Sequence, residues 1–406
     1  MASPPESRDD FEIAIVCALA REYNAVSRVV DQFWDINYGR VAEDPNTYAT
    51  GRIGAFHVVL VLLSTMGKSS AASATANLRT SYPKLKFALL VGICGGVPGS
   101  ANGEELLLGD VVIGKTVVQY DLSRRYPDGV QTKDTLDDNL GRSAKNVRNF
   151  VQFFETEIAR EQLEERAALC LEELQTRTSG RRRNANYQYP GASRDILFKA
   201  EYHHKHQSSA QILCEVCDGE SDRVCEESRN LSCHELGCDK GQTIERERLK
   251  ENRDFEAKGQ IAKAQAPCVF VGRFGSGDIV LKSGVERDTL ARRHGILAFE
   301  MEGAGAWDEI PCIIVKGVSD YADSHKNKLW QDFAAATAAC VAKALVERYP
   351  QTDKPLNKSS EKYRGDQTSE SARLGMGSVR FGDISGGNVV TDIHSTGGTQ
   401  TFNFGN

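Results

Sequence analysis

The stretch Pro311-Cys312-Ile313-Ile314-Val315-Lys316-Gly317-Val318, followed at once by Ser319-Asp320, decides the fold. A run so rich in Ile and Val predicts a buried strand, because a strand covered on both faces reads as a near-continuous apolar run. Ligands of open α/β sheets collect at the carboxyl ends of such strands. An acid placed there is positioned to be buried, raised in pKa and used as a proton donor. Helix N-capping, which Ser and Asp also do well, is the competing explanation of the pair.

The same grammar recurs outward from this strand. Residues 11–17, 56–64, 86–91 and 106–120 are rich in Val, Ile and Leu, and residues 268–272 give one more strand pattern. Residues 20–31 and 68–80 place apolar and small residues at helical spacing. Residues 330–348, carrying Ala334, Ala335, Ala336, Ala338, Ala339 and Ala342, read as a closing helix. Alternation of strands and helices predicts an α/β sheet covered by helices. Residues 146–265 interrupt it with charged runs around 155–176 and 245–263 and a cysteine-rich stretch between them. Residues 1–10 are expected to be a flexible leader, 350–375 a linker and 376–406 a Gly-rich tail.

The chain has 406 residues, 40% of them hydrophobic and 26% charged, which argues against wholesale disorder. Its net charge of −6 gives no general attraction to nucleic acid or to anionic membrane. No secretory signal and no apolar run of membrane-spanning length is visible, so a cytoplasmic protein is expected. Eleven cysteines in such a chain suit free thiols or metal ligands better than a disulfide framework.

Three further segments carry candidate chemistry. Val91-Gly92-Ile93-Cys94-Gly95-Gly96-Val97 follows a strand, and its glycines, Gly95 and Gly96 among them, let backbone approach a ligand closely; a plain tight turn is the alternative. Thr65-Met66-Gly67-Lys68-Ser69 resembles the end of a P-loop, but Leu62 stands where the first glycine belongs, so a triphosphatase is disfavoured. Phe299-Glu300-Met301-Glu302-Gly303-Ala304-Gly305 sets two carboxylates in an apolar, small-residue context, where an unpaired acid is costly. Paired carboxylates can hold a sugar diol by accepting its hydroxyl protons; a solvated helix start is the alternative.

In this order, these pieces resemble the nucleoside phosphorylase family, in particular its methylthioadenosine and adenosylhomocysteine nucleosidases, and the phosphorylase-type domains of fungal immune-like proteins. The resemblance rests on residues 299–304, 317–327 and 330–339, covers residues 11–145 and 266–349, and extends weakly into 189–217. It implies a three-layer α/β/α fold with a mixed central sheet, one long insert and a Gly-rich tail, cleaving the N-glycosidic bond of a nucleoside without a catalytic cofactor. By motif, Glu302 takes the ribose hydroxyls, with Glu300 and Phe299 beside it and Met301 beneath the sugar. Asp320, set by Ser319, protonates the purine, and Glu22 activates water. Gly277, Asp278, Ile279 and Val280 supply backbone contacts to the base.

Phosphorylases of the family hold phosphate with an Arg-Val-Gly-Ser segment; here the matching stretch is Leu90-Val91-Gly92-Ile93. Leu and Ile cannot neutralise a dianion, which favours hydrolysis over phosphorolysis. Relatives in immune-type fusions act on adenine nucleotides, including ATP. A 5′-phosphate would draw on Lys68, Arg124 and Arg125, with Lys282 and Arg287 as further candidates, although each also reads as an ordinary surface charge. A phosphate-dependent phosphorylase and a non-catalytic nucleoside-sensing module are the alternative functions. A homo-oligomer follows from the resemblance.

Cys214-Glu215-Val216-Cys217 has the spacing of a zinc half-site, and Cys225, Cys233, His234, Cys238, His203, His204 and His206 compete to complete it as a structural zinc; free thiols are the alternative. The tail resembles the prion-like signalling motifs of fungal death-pathway proteins, which implies amyloid-like self-assembly, against the alternative of a disordered tail.

Overall fold

The computed structural model describes residues 3–99, 103–133, 135, 137–179, 185–207, 214–217 and 223–351, and the backbone of 393–395 and 398–400. The chain divides into two compact units, Met1–Pro350 and Gln351–Asn406.

In the first unit the strands are β1 (Ile13–Cys17), β2 (Gln32–Phe33), β3 (Tyr48–Ile53), β4 (Phe56–Leu62), β5 (Phe87–Gly96), β6 (Val111–Gln119), β7 (Ser123–Tyr126), β8 (Gly129–Thr132), β9 (Val269–Ser276), β10 (Ile296–Glu300) and β11 (Cys312–Asp320). The helices are α1 (Ala20–Val29), α2 (Lys68–Ser81), α3 (Lys145–Phe153), α4 (Glu157–Thr178), α5 (Glu247–Ala257), α6 (Ile261–Gln265), α7 (Gly284–His294), α8 (Gly303–Ala306) and α9 (Gln331–Arg348). Nine strands form one sheet in the order β10-β9-β6-β11-β5-β1-β4-β3-β2. The sheet is mixed: β4, β1, β5 and β11 run parallel, whereas β11 and β6 are antiparallel. β10 also pairs with β5, through Ala298–Gly96 and Phe299–Gly95, so β10, β9, β6, β11 and β5 close into a ring.

Strand periodicity explains the three layers, since successive side chains point to opposite faces. Ile13, Ile15, Phe87, Leu89, Val91, Ile313 and Val315 join the core that includes α1, α4 and α9. Ala14, Val16, Ala88, Leu90 and Ile314 join the other, with Ala71, Ala74 and Leu78 of α2 and Ala306 of α8. Both faces are covered, which is why the strands read as continuous apolar runs. Helix α9 is buried on every side from Phe333 to Val346, and its one charge in that span, Lys343, is paired with Glu347 at 3.3 Å and donates to Val29 O at 3.1 Å. Full burial of a Leu, Val or Phe such as Leu345 or Phe333 contributes about 1.5–3 kcal/mol each.

Two segments depart from expectation. The charged helix α4, which composition groups with the insert, packs Ala159, Leu163, Ala167, Cys170, Leu171 and Leu174 into the α9 core. Its charges occupy the outer face, and Arg166 forks onto Glu347 at 2.7 and 2.9 Å. The shift in composition at residue 146 therefore is not the edge of the α/β layer. The leader, expected to be flexible, carries a 3-10 turn at Arg8–Asp10, and the buried Pro5 accepts from Tyr38 Oη at 2.9 Å.

In the second unit β12 (Ile393–Ser395) and β13 (Gly398–Gln400) pair antiparallel. The linker from residue 352 and the rest of the Gly-rich tail lie outside the described residues. No helix among the described residues is long and apolar enough to cross a membrane.

Candidate active site

The parallel strands β1, β5 and β11 end side by side, and their carboxyl ends open on a cavity of about 230 Å³. Its lining includes Glu22, Gly95, Phe299, Glu300, Met301, Glu302, Ser319 and Asp320. Residues 200–300 positions apart in the chain thus reach one space.

Glu22 lies in the first turn of α1 and is buried. Its Oε2 accepts from the Ala18 and Leu19 amides at 2.9 and 2.8 Å, and Oε1 accepts from the Ile93 amide at 2.8 Å. A carboxylate offers about four acceptor positions, so three amides leave roughly one for another donor. Burial raises the Glu22 pKa above its usual value; Lys316 and the amides oppose the rise, and Glu302 adds to it. Gly92 makes the arrangement sterically feasible, since a Cβ there would lie 2.2 Å from Glu22 Oε1.

At the end of β10, Glu300 folds back to accept from the amides of Glu302 (2.9 Å) and Gly303 (2.8 and 3.0 Å). Its carboxylate shapes the turn into α8, and burial raises its pKa, against the pull of Lys316. Glu302 accepts from Lys316 Nζ at 2.8 Å, both side chains being buried. Burial by itself would lower the Lys316 pKa, but Glu302, Glu22 and Glu300 outweigh it and hold the ammonium above its ordinary value.

At the end of β11, Asp320 is buried with Oδ1 accepting from the Ala322 amide at 3.0 Å and Oδ2 from Ser319 Oγ at 3.0 Å. Lys326 Nζ stands 3.2 Å from Oδ2. Ala322 has φ +51°, a left-handed conformation that costs a non-glycine residue of order 1–3 kcal/mol and is held here by its neighbours. Gly95 lies beneath this turn; a Cβ on it would come within 2.9 Å of Ala322 Cβ.

The remaining wall is apolar, with Met66, Ile93, Ile279, Val280, Leu281 and Phe299. Ile279 and Val280 line the cavity. Gly96, Gly277 and Asp278 are not part of the lining: Gly96 pairs with Ala298, Gly277 donates to Glu300 O at 3.2 Å, and the exposed Asp278 donates its amide to Asp121 Oδ2 at 2.8 Å. The candidate phosphate cations are not gathered here. Lys68 Nζ is bound by both Asp121 oxygens at 2.6 Å, with Asp278 at 3.8 Å. Arg124 and Arg125 are exposed on the β7–β8 hairpin, and Lys282 is exposed. Arg287 is buried and donates to Tyr321 O at 2.8 Å, which supports the Asp320 loop. Cys214 and Cys217 sit in the insert with His206 and Cys225, outside this lining.

Lys316 and Lys326 are site residues that motif reasoning missed. Lys316 had a signal, a lone charge inside an apolar strand, which demands a buried partner. Lys326 had none beyond its nearness to Asp320.

The fold and site thus define a three-layer α/β/α domain with buried carboxylates at the ends of its parallel strands. Residues 12–175 match the model of the phosphorylase superfamily, so the resemblance to that superfamily read from the motifs stands. An alignment over 349 residues that covers 84% of the chain shows 26% identity to a nucleotide-binding leucine-rich repeat-like protein of Hyaloscypha variabilis; the chain spans 30% of that relative's length. Among solved structures, futalosine hydrolase of Helicobacter pylori is similar at 13% identity and a TM-score of 0.46, covering 84% of this chain and 99% of its own. A 5′-methylthioadenosine/S-adenosylhomocysteine nucleosidase of S. pneumoniae is similar at 17% identity and a TM-score of 0.45, covering 83% of this chain and 99% of its own.

Proposed function

We propose that the chain is a purine nucleosidase that hydrolyses the N-glycosidic bond of an adenine nucleoside, releasing free base and ribose product. The observation that carries this is Glu22, whose carboxylate is fixed by three amides inside the cavity that Asp320 also lines. Asp320 donates a proton to the purine, the C–N bond breaks with its electron pair going to the base, and the sugar takes on oxocarbenium character. Water held at the remaining acceptor position of Glu22 attacks the anomeric carbon and passes its proton to that carboxylate. Glu302, oriented by Lys316, accepts from the sugar diol over Met301.

The wall of the cavity favours a substrate without phosphates. Lys326 is the basic residue among the described lining residues, and it is engaged by Asp320. Lys68 is neutralised by Asp121. Adenine nucleotides, ATP included, are the runner-up substrate class, and the similarity to an NLR-like protein supports a defence setting. A cytoplasmic homo-oligomer that reports through its tail belongs to the same proposal. The same similarity favours a second reading, a nucleoside-sensing module without turnover.

The test is chromatography of adenosine, methylthioadenosine, AMP, ATP, inosine and uridine after incubation with the purified chain, each with and without phosphate. Base release without phosphate is expected. Strict dependence on phosphate makes the chain a phosphorylase; ligand binding with no release makes it a sensor.

A further inference from the structure

Between Lys199 and Arg246 the insert contains no strand and no helix longer than one 3-10 turn among its described residues. Among the described residues of that span the buried apolar side chains are Leu236 and Cys217. Its other buried side chains include His204 and His206. A segment with so little apolar core needs another source of order, and small domains of this kind use disulfides or metals. Three of the buried side chains here, His204, His206 and Cys217, are of types that bind metals.

We infer that the insert holds two zinc ions, one on His204, Cys233, Cys238 and His325, the other on His206, Cys214, Cys217 and Cys225, and that the first clamps the insert onto the loop carrying Asp320. In each group the four ligand atoms all lie within 4.8 Å of one another. His204 Nδ1 is 3.5 Å from Cys233 Sγ and 3.6 Å from Cys238 Sγ, and His325 Nδ1 is 3.6 Å from Cys233 Sγ. In the second group His206 Nδ1 is 3.7 and 3.5 Å from Cys217 and Cys225 Sγ. Bonds of about 2.3 Å to sulfur and 2.0–2.1 Å to nitrogen at tetrahedral angles put N and S about 3.6 Å apart, so these separations are tetrahedron edges.

The imidazoles of the first group are also oriented for a metal. His204 Nε2 lies 2.9 Å from Leu231 O and His325 Nε2 lies 2.9 Å from Tyr202 O. Each Nε2 must be protonated to donate to a carbonyl, which leaves the Nδ1 lone pair facing the sulfurs; metal-bound histidines are held this way. Four N and S donors without a carboxylate select zinc over the hard cations. His204 and His206, two residues apart with a bend at Lys205 between them, fall in different groups, so this one segment supplies a ligand to each ion.

The fourth ligand of the first site comes from the catalytic side of the molecule. His325 is five residues beyond Asp320 and next to Lys326, which pairs with Asp320. The His325 ring stacks on Phe198 of the insert, with centroids 3.9 Å apart, and Ser324 Oγ accepts from the His204 amide at 3.1 Å. Tyr321 Oη donates to Asp195 at 2.8 Å, and Asp195 is also paired with Arg246 at 2.9 Å. The loop is therefore gripped by the insert at both ends. The consequence for base release rests on the nucleosidase reading; the metal assignment does not.

Elemental analysis of the full chain, purified without a polyhistidine tag, is expected to give about two zinc equivalents. C233S and C217S are each expected to lower this to about one. Should either variant fail to fold, exchange of cobalt into the unaltered chain decides: thiolate-to-cobalt charge transfer should correspond to five sulfurs on two tetrahedral ions. A content of one ion or none, or disulfides within either group by mass, overturns the assignment. The clamp is tested by hydrogen exchange of residues 320–327, expected to quicken at least about tenfold in C233S and C238S but not in C217S. Unchanged protection in C233S overturns the clamp even where two ions bind. If the unaltered chain releases no base, the nucleosidase reading fails while this exchange comparison still decides the clamp.

Discussion

Lys316 donates to Glu302 at 2.8 Å with both groups buried, and this one ammonium faces a cavity wall that also holds Glu22 and Glu300. Three carboxylates near one another would repel in a medium of low dielectric. The lysine offsets that repulsion, and the backbone amides that cap Glu22 and Glu300 share the task.

Replacing Lys316 by Met should therefore cost about 3–5 kcal/mol, because it leaves buried charge uncompensated. The loss has a pH signature. Glu22 and Glu300 already have raised pKa values, and without the lysine they rise further, so each favours folding only while protonated. The deficit should be least in acid and grow as pH rises through those values. Urea unfolding at several pH values measures it, with Lys316→Met/Glu302→Gln recovering part of the loss. A deficit independent of pH would refute the electrostatic account.

Catalysis should carry a related signature. Glu22 must be ionised to accept a proton from water, and burial makes it bind its own proton at higher pH than a free glutamate. The acid limb of kcat/KM for base release should accordingly fall above 4.5, the ordinary value. Glu22→Gln should lower kcat by about 10²–10⁴ and abolish that limb. A limb that persists in Glu22→Gln assigns it to another group.

Much of this site was legible in the chain because strand ends are legible. Apolar runs located β1, β5 and β11, and the residues just past them, Ser319-Asp320 and the Gly92–Gly96 segment, line the cavity or flank it. Pairings that depend on tertiary closure were not legible. Nothing in the order of residues announces that β10 returns to pair with β5, or that Lys316 meets Glu302 from a different strand. Helix α4 was misassigned by composition because its exposed charges outnumber the apolar stripe that packs on α9. For the cysteines, spacing pointed to Cys214 and Cys217, but the grouping of His325 with Cys233 and Cys238 needs the fold to bring residues far apart in sequence together.

Gly92 offers a steric test of the role of Glu22. A methyl at this position would sit 2.2 Å from Oε1 and 2.9 Å from Oε2, inside van der Waals contact with a carboxylate pinned by three amides. Gly92→Ala should displace Glu22, lower kcat at least about tenfold and destabilise the fold by about 1–3 kcal/mol through overpacking. Kinetics and thermal melting of the same preparation separate the effects. Normal turnover in Gly92→Ala would show that Glu22 need not occupy this position.

The hairpin cations decide between substrate sizes. Arg124 and Arg125 are exposed on β7, outside the cavity lining, while Lys68 is already held by Asp121. Charges on such a surface are screened within about 10 Å at 0.1 M salt, so reversing them should barely alter an uncharged ligand in the cavity. For the double variant R124E/R125E, adenosine cleavage should stay within about twofold of the unaltered chain, and ATP, if it is cleaved at all, should show a similarly small change. Steady-state kinetics on both substrates, run at low and high salt, checks this. A selective loss with ATP that salt diminishes would mean that the hairpin reaches a substrate phosphate and that nucleotides are the true substrates.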